Sequence, residues 1–196
     1  MADEITIRDD SKPYTPCPEG QHLAVCADVI LLGDKVESYP GNPPKVVKKL
    51  ALVYQVDEIN PDTGKRFEIS TEKTVSMNEK AGLRKWLEAW RGKAYSDQEA
   101  KEKGVQPHKM VGVNALLAVA HKTSGKGKLY ANAMNIAPIH KSMTPIAVEG
   151  YERGEFWTKR KEEYAKQVAD FLRAAGQDGP PPSDYHPEDE DDDLPF

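Results

Sequence analysis

Cysteine is scarce in this chain of 196 residues: only Cys17 and Cys26 occur. They lack metal-ligand spacing, and two thiols are too few for a disulfide framework in a chain of this length. A reducing cytoplasm is therefore the expected compartment. Long apolar runs are missing as well. No stretch approaches the roughly 18–20 apolar residues that cross a bilayer, and Met1 to Gly20 is acidic and proline-containing without an apolar core. Neither a membrane span nor a secretory signal is expected. There is no internal repeat.

Catalytic and metal-binding constellations are also absent. His22, His108, His121, His140 and His186 are scattered and share no ligand spacing, so no metal is expected. No Ser/His/Asp or paired-carboxylate arrangement has a supporting context. Lys122 to Lys128 reads Lys-Thr-Ser-Gly-Lys-Gly-Lys. It has the residue types of a phosphate-binding loop without their order, and it leads into a strand instead of a helix. The chain is read as non-enzymatic and without a cofactor.

Charge is present in quantity and is unevenly placed. The net charge is −5. Gln177 to Phe196 holds eight acidic residues and no Lys or Arg, and Met1 to Gly20 holds five acidic against two basic. The 156 residues between them keep 25 basic and 19 acidic side chains, a net of +6. A basic middle between acidic ends suits a chain that binds a polyanion and carries its own competitor.

Residues 1–20 read as an extended arm, because Pro13, Pro16 and Pro18 rule out a helix. Residues 21–138 read as one domain. Its first strand is Gln21 to Leu32, followed by a loop from Asp34 to Lys45. Val46 to Glu58 alternates Leu50, Leu52, Tyr54 and Val56 with Lys49, Ala51, Val53 and Gln55. The turn Asn60-Pro61-Asp62-Thr63-Gly64 joins it to a third strand, Arg66 to Ser76.

Ser76-Met77-Asn78-Glu79 has capping-box spacing, and Leu83, Trp86, Leu87 and Trp90 form one apolar stripe. A helix ending at Gly92 is predicted, and Ser96 to Lys103 is a second short one. Strands four and five are Met110 to Thr123 and Lys128 to Pro138. The order β-β-β-α-β-β predicts a mainly β protein with helices (α+β). More finely, it predicts a five-stranded barrel of the oligonucleotide/oligosaccharide-binding type, the OB-fold, with a helix between strands three and four; a ferredoxin-like or open α+β sheet is the competitor, whose alternating helix order fits worse. Residues 139–176 are a connector and an amphipathic C-terminal helix with Trp157, Lys161, Tyr164, Val168, Phe171 and Ala175 on one face. Residues 177–196, with three consecutive prolines and the acidic run, read as a disordered tail.

Single strands are held by cations along a groove and by aromatic rings that stack on bases. In an OB-fold the usual surface is strands two and three with the loops between strands 1–2 and 4–5. Tyr39 and Lys45 lie on the first of those loops. Lys48, Lys49, Arg66 and Lys73 lie on the strands, and Lys122, Lys126, Lys128 and Tyr130 lie on or beside the second loop. These ten are the candidate nucleic-acid contacts. Trp86, Trp90, Tyr54 and Phe67 fall on apolar faces and are expected in the core.

The chain ends Asp191-Asp192-Asp193-Leu194-Pro195-Phe196. Charge keeps Leu194 and Phe196 in water, and Pro195 limits the entropy lost on docking. An apolar pocket with a basic rim is the expected receptor. This tip resembles the C-terminus of bacterial single-stranded DNA-binding proteins, with Leu194 where isoleucine is usual. The resemblance covers these six residues and the acidic linker before them. It implies recruitment of replication and repair proteins through the tip, and competition between the tip and DNA.

The body is similar to OB-fold proteins encoded by bacteriophages, over Thr74-Val75-Ser76-Met77-Asn78-Glu79-Lys80-Ala81-Gly82-Leu83-Arg84-Lys85-Trp86-Leu87 and Trp90-Arg91-Gly92. No long Gly/Gln-rich linker precedes the tip, so the cellular tetramer is not carried over, although self-association stays open. The resemblance implies sequence-nonspecific single-stranded DNA binding in a bacterial host's cytoplasm. Two alternatives are a tail-mimicking interaction or inhibitor protein that binds no DNA, and an RNA-binding or strand-annealing protein of the same fold.

Overall fold

A computed structural model describes residues 14–125 and 127–176. The candidate Lys126, most of the N-terminal arm, and the tail with its tip Asp191, Asp192, Asp193, Leu194, Pro195 and Phe196 lie outside the described residues.

The elements follow the predicted order. They are β1 (Gly20–Glu37), β2 (Lys45–Ile59), β3 (Arg66–Thr74), α1 (Gly82–Arg91), β4 (Asn114–Thr123), β5 (Leu129–Ala137) and α2 (Glu155–Ala174). The chain is mainly β with helices. β1 runs five residues past its expected end because Lys35, Val36 and Glu37 pair with Val47, Val46 and Lys45. Ladder irregularities between Cys26 and Asp28 and between Leu31 and Gly33 bend this long strand, with Gly33 at φ 93° at the second. β4 starts late because Pro107–Met110 makes a tight helical turn and Gly112 takes φ 84°.

The capping box at Ser76 does not form. α1 starts after Ala81 with no side-chain cap, while Ser76 Oγ accepts a hydrogen bond from the Asn78 N–H. A reciprocal box forms instead at the next short helical turn. There Glu99 N–H donates to Ser96 Oγ at 3.2 Å and Ser96 N–H donates to Glu99 Oε2 at 3.0 Å.

All the pairings are antiparallel and the strand order is β3-β2-β1-β4-β5. The predicted barrel is not closed: β3 and β5 approach one another, but no ladder joins them among the described residues. The physical reason is α1, which packs against both edge strands. Its Leu83, Trp86, Leu87 and Trp90 fill the opening with apolar side chains where a barrel would close with hydrogen bonds.

Each face of the sheet has its own apolar layer. On the inner face Ala24, Cys26, Leu50, Leu52, Tyr54, Val56, Leu117 and Ile136 meet the α1 stripe. On the outer face Ile30, Leu32, Ala51 and Val53 meet Trp157 and Tyr164 of α2. β2 is therefore buried on both sides, which explains its nearly unbroken apolar run. The buried face of α2 carries Trp157, Tyr164, Val168 and Leu172; Leu172 takes the place predicted for Phe171.

Candidate nucleic-acid interface

The outer face of β1, β2 and β3, which an OB-fold offers to single strands, is occupied by the chain itself. The segment after β5 crosses it as a strap held by side-chain amides. Asn114 Nδ2 donates to Ile146 O and its Oδ1 accepts from Ile146 N–H, at 2.9 and 2.8 Å. Gln55 does the same with Glu149, at 2.8 and 2.9 Å. Arg66 Nη1 donates to Ala147 O at 2.9 Å.

Asp28 then accepts hydrogen bonds from Arg153 Nε and Nη2, each at 2.7 Å, and from the Tyr151 hydroxyl at 2.9 Å. Burial alone would raise the Asp28 carboxyl, but the hydrogen bonds from Arg153 and Tyr151 outweigh it and hold the group below its ordinary value.

Beyond the strap, α2 takes over. Tyr164 donates to Glu72 Oε2 at 2.5 Å and Arg160 pairs with Glu72 Oε1 at 3.1 Å. Burying Trp157, Tyr164, Val168 and Leu172 at about 1.5–3 kcal/mol per large apolar side chain stabilises the docked helix by several kcal/mol. Stacking yields about 1–3 kcal/mol per base, so lifting α2 would consume the gain from several bases. The β3 side of this face also carries Glu68 and Glu72, the wrong sign for phosphates.

The ten candidates separate accordingly. Lys49 and Arg66 lie on the covered face and are engaged by groups of the chain itself. Lys49 is buried, with its Nζ 2.5 Å from Glu37 Oε1 and 2.7 Å from Thr74 Oγ1. Arg66 is tied to the strap and lies 3.4 Å from Glu149. The first loop contracts to a hairpin tip that carries Tyr39, whose hydroxyl donates to Glu37 at 3.0 Å, and leads into Lys45 and the exposed Lys48. Lys48 stands opposite Asp34 in the ladder. Lys73 is opposite Leu50, with its ammonium 4.6 Å from the centre of the Trp86 ring.

Lys122, Lys128 and Tyr130 gather at the other end of the sheet, where β4 runs past Gly20 of β1 to the β4–β5 turn. Lys122 and Tyr130 are direct cross-strand neighbours and both are exposed. The exposed candidates therefore fall into two groups, one toward the β1–β2 hairpin and one at the β4–β5 turn.

A residue absent from that set joins the second group. Tyr14, in the arm, is 54% exposed, and the Lys128 ammonium sits 4.9 Å from its ring centre. The only sequence signal is that it is an aromatic beside prolines, which does not locate it in space. Midway along β5, Met134 is exposed at the ladder irregularity opposite Ala118 and Val119.

The aromatic residues expected in the core are there. Trp86 donates to the Tyr54 hydroxyl and Trp90 to Asn114 O, both at 2.9 Å. Burial pushes the Cys17 and Cys26 thiols up to about 11 and about 12. Among the described residues no group of His, Cys, Asp or Glu is placed to hold a metal, and no helix is long and apolar enough to cross a membrane. No protein-family model, curated protein or solved structure matches the chain.

Proposed function

We propose that this chain is a sequence-nonspecific single-stranded DNA-binding protein of the bacteriophage type, serving replication, recombination or repair in a bacterial host's cytoplasm. Its body is an OB-fold left open at one seam. The observation that carries the reading is the strand order β3-β2-β1-β4-β5, with a helix inserted between β3 and β4 and packed across the opening. That is the OB arrangement lacking only its last ladder. The acidic tip ending in Leu194-Pro195-Phe196 supports it independently.

Binding is passive. Phosphates lie on Lys122 and Lys128 at one end and on Lys45, Lys48 and Lys73 at the other, and bases stack on exposed tyrosines. The tip recruits partner proteins. No bond is made or broken.

One observation favours a second reading. The closed outer face, with Glu68 and Glu72 on it, suits a protein that displays the tip to capture tail-binding proteins and leaves DNA alone. A titration separates the two. Fluorescence anisotropy of labelled oligo-dT, RNA of equal length and duplex DNA is followed with the full chain and with a version lacking the last six residues. Single-stranded DNA bound in preference to duplex supports the proposal. RNA bound equally well points to the RNA-binding or annealing form. No binding by either version leaves the tail mimic.

A further inference from the structure

We propose that Tyr14 is a base-stacking residue, so that the described end of the arm, Tyr14 to Gly20, forms one wall of the nucleic-acid site at the β4–β5 end. This rests on the single-strand reading above. Four observations support it. First, the arm is fastened immediately after the ring, at Thr15 and at Cys17. Thr15 N–H donates to Asp62 Oδ2 at 3.3 Å in the β2–β3 turn, and His121 Nε2 meets Cys17 O at 2.8 Å. Cys17 is buried in the inner core only three residues on. Tyr14 is thus held where the β2–β3 and β4–β5 turns come together.

Second, Tyr14 is 54% exposed in spite of that anchoring. An aromatic ring fixed in place and left half in solvent has its ordering cost met before any ligand arrives. Third, the Lys128 ammonium lies 4.9 Å from the ring centre. One contact thus joins a cation and a π-face, the pair of groups that a nucleotide's phosphate and base require. Fourth, the same turn offers Lys122 and Tyr130 side by side across the β4–β5 ladder, both exposed. Two acids also lie at this end, each accepting from a backbone amide: Asp62 Oδ2 from Thr15 N–H at 3.3 Å and Glu19 Oε1 from His121 N–H at 2.7 Å.

An unstacked base laid on the open side of Tyr14 brings its phosphate to Lys128, and the strand continues toward Tyr130. The preference is for a single strand, because a base inside a duplex has no free face to give.

The test uses the full chain with Tyr14→Ala, Tyr14→Phe, Tyr14→Trp and Lys128→Ala, titrated with labelled oligo-dT at several salt concentrations. Tyr14→Ala is expected to weaken binding roughly 5- to 150-fold with an unchanged salt slope, because stacking releases no counterions. Tyr14→Phe keeps the wild-type affinity. Lys128→Ala loses affinity and flattens the slope by about 0.7. In Tyr14→Trp the new indole is quenched on binding, whereas Trp86, Trp90 and Trp157 are buried and respond little.

Wild-type affinity in Tyr14→Ala together with an unquenched Tyr14→Trp would overturn this inference and leave the single-strand reading standing. A loss of affinity accompanied by a lowered melting temperature in Tyr14→Ala would make the residue structural and overturn it too. No binding by the wild-type chain would overturn both.

Discussion

The indole N–H of Trp86 donates to the hydroxyl of Tyr54 at 2.9 Å, and the tyrosine is wholly buried. This bond ties α1 to the centre of β2, and Trp90 meets the same ring edge-on at a centroid distance of 5.5 Å. Burial drives the Tyr54 hydroxyl far above its ordinary pKa, so it stays protonated. Tyr54→Phe strands the indole donor and is expected to cost about 1–3 kcal/mol. Trp86→Phe strands the hydroxyl at a similar cost, with some packing lost besides. In a double-mutant cycle by urea unfolding, the combined variant should lose less than the sum of the two.

The Asp28 latch makes a pH-dependent contribution with a definite sign. Its folded carboxyl titrates below the ordinary aspartate value because the hydrogen bonds from Arg153 and Tyr151 outweigh burial. The unfolded chain therefore binds that proton first. The stabilisation is complete above about pH 4 and is lost as pH falls toward the folded value. Asp28→Asn should flatten the acid limb of a stability–pH curve and lower the urea midpoint at neutral pH, with Arg153→Ala producing the same two changes.

Lys49 and Arg66 were placed among the DNA contacts by strand position alone, and their surroundings predict something else. Lys49→Ala leaves Glu37 without its closest partner in a poorly hydrated site. It should cost about 1–3 kcal/mol of stability and leave DNA affinity unchanged. Lys122→Ala should reverse that pattern, weakening single-strand binding while the melting temperature holds. Thermal melts beside anisotropy titrations decide it.

Trp157 anchors α2 over Ile30, Leu32, Ala51 and Val53. Trp157→Ala is expected to cost about 3–5 kcal/mol, and removing α2 entirely should expose an apolar face that binds a hydrophobic dye. If the outer face takes no part in binding, the folded fraction of Trp157→Ala retains wild-type affinity. A gain in affinity would show that α2 masks a site.

The sequence was most readable where one periodicity ruled. Leu50, Leu52, Tyr54 and Val56 marked a strand face, and Leu83, Trp86, Leu87 and Trp90 marked a helix stripe. Both were found in the inner layer. The outer layer was much less visible. Ala51, Val53 and Gln55 read only as the alternate face of β2, because nothing local to them reveals the helix that covers it.

Lys49 could not be recognised as buried for the same reason. Its partner Glu37 fell in a predicted loop, and only the extension of β1 brings the two together. Closure of the barrel was inferred from element order, which does not specify whether the last seam is filled by a ladder or by the side chains of α1. The separation of the candidate contacts into two ends follows from strand length and the path of β1, and neither is encoded in spacing between the cations.

The most direct test of single-strand binding is the slope of log K against log salt for oligo-dT, measured with the full chain, with Lys122→Ala and with Lys122→Ala/Lys128→Ala. The account predicts a steep fall with salt, flattened by about 0.7 for each lysine removed, with duplex DNA bound more weakly throughout. A wild-type slope near zero, or one that neither substitution changes, would contradict it.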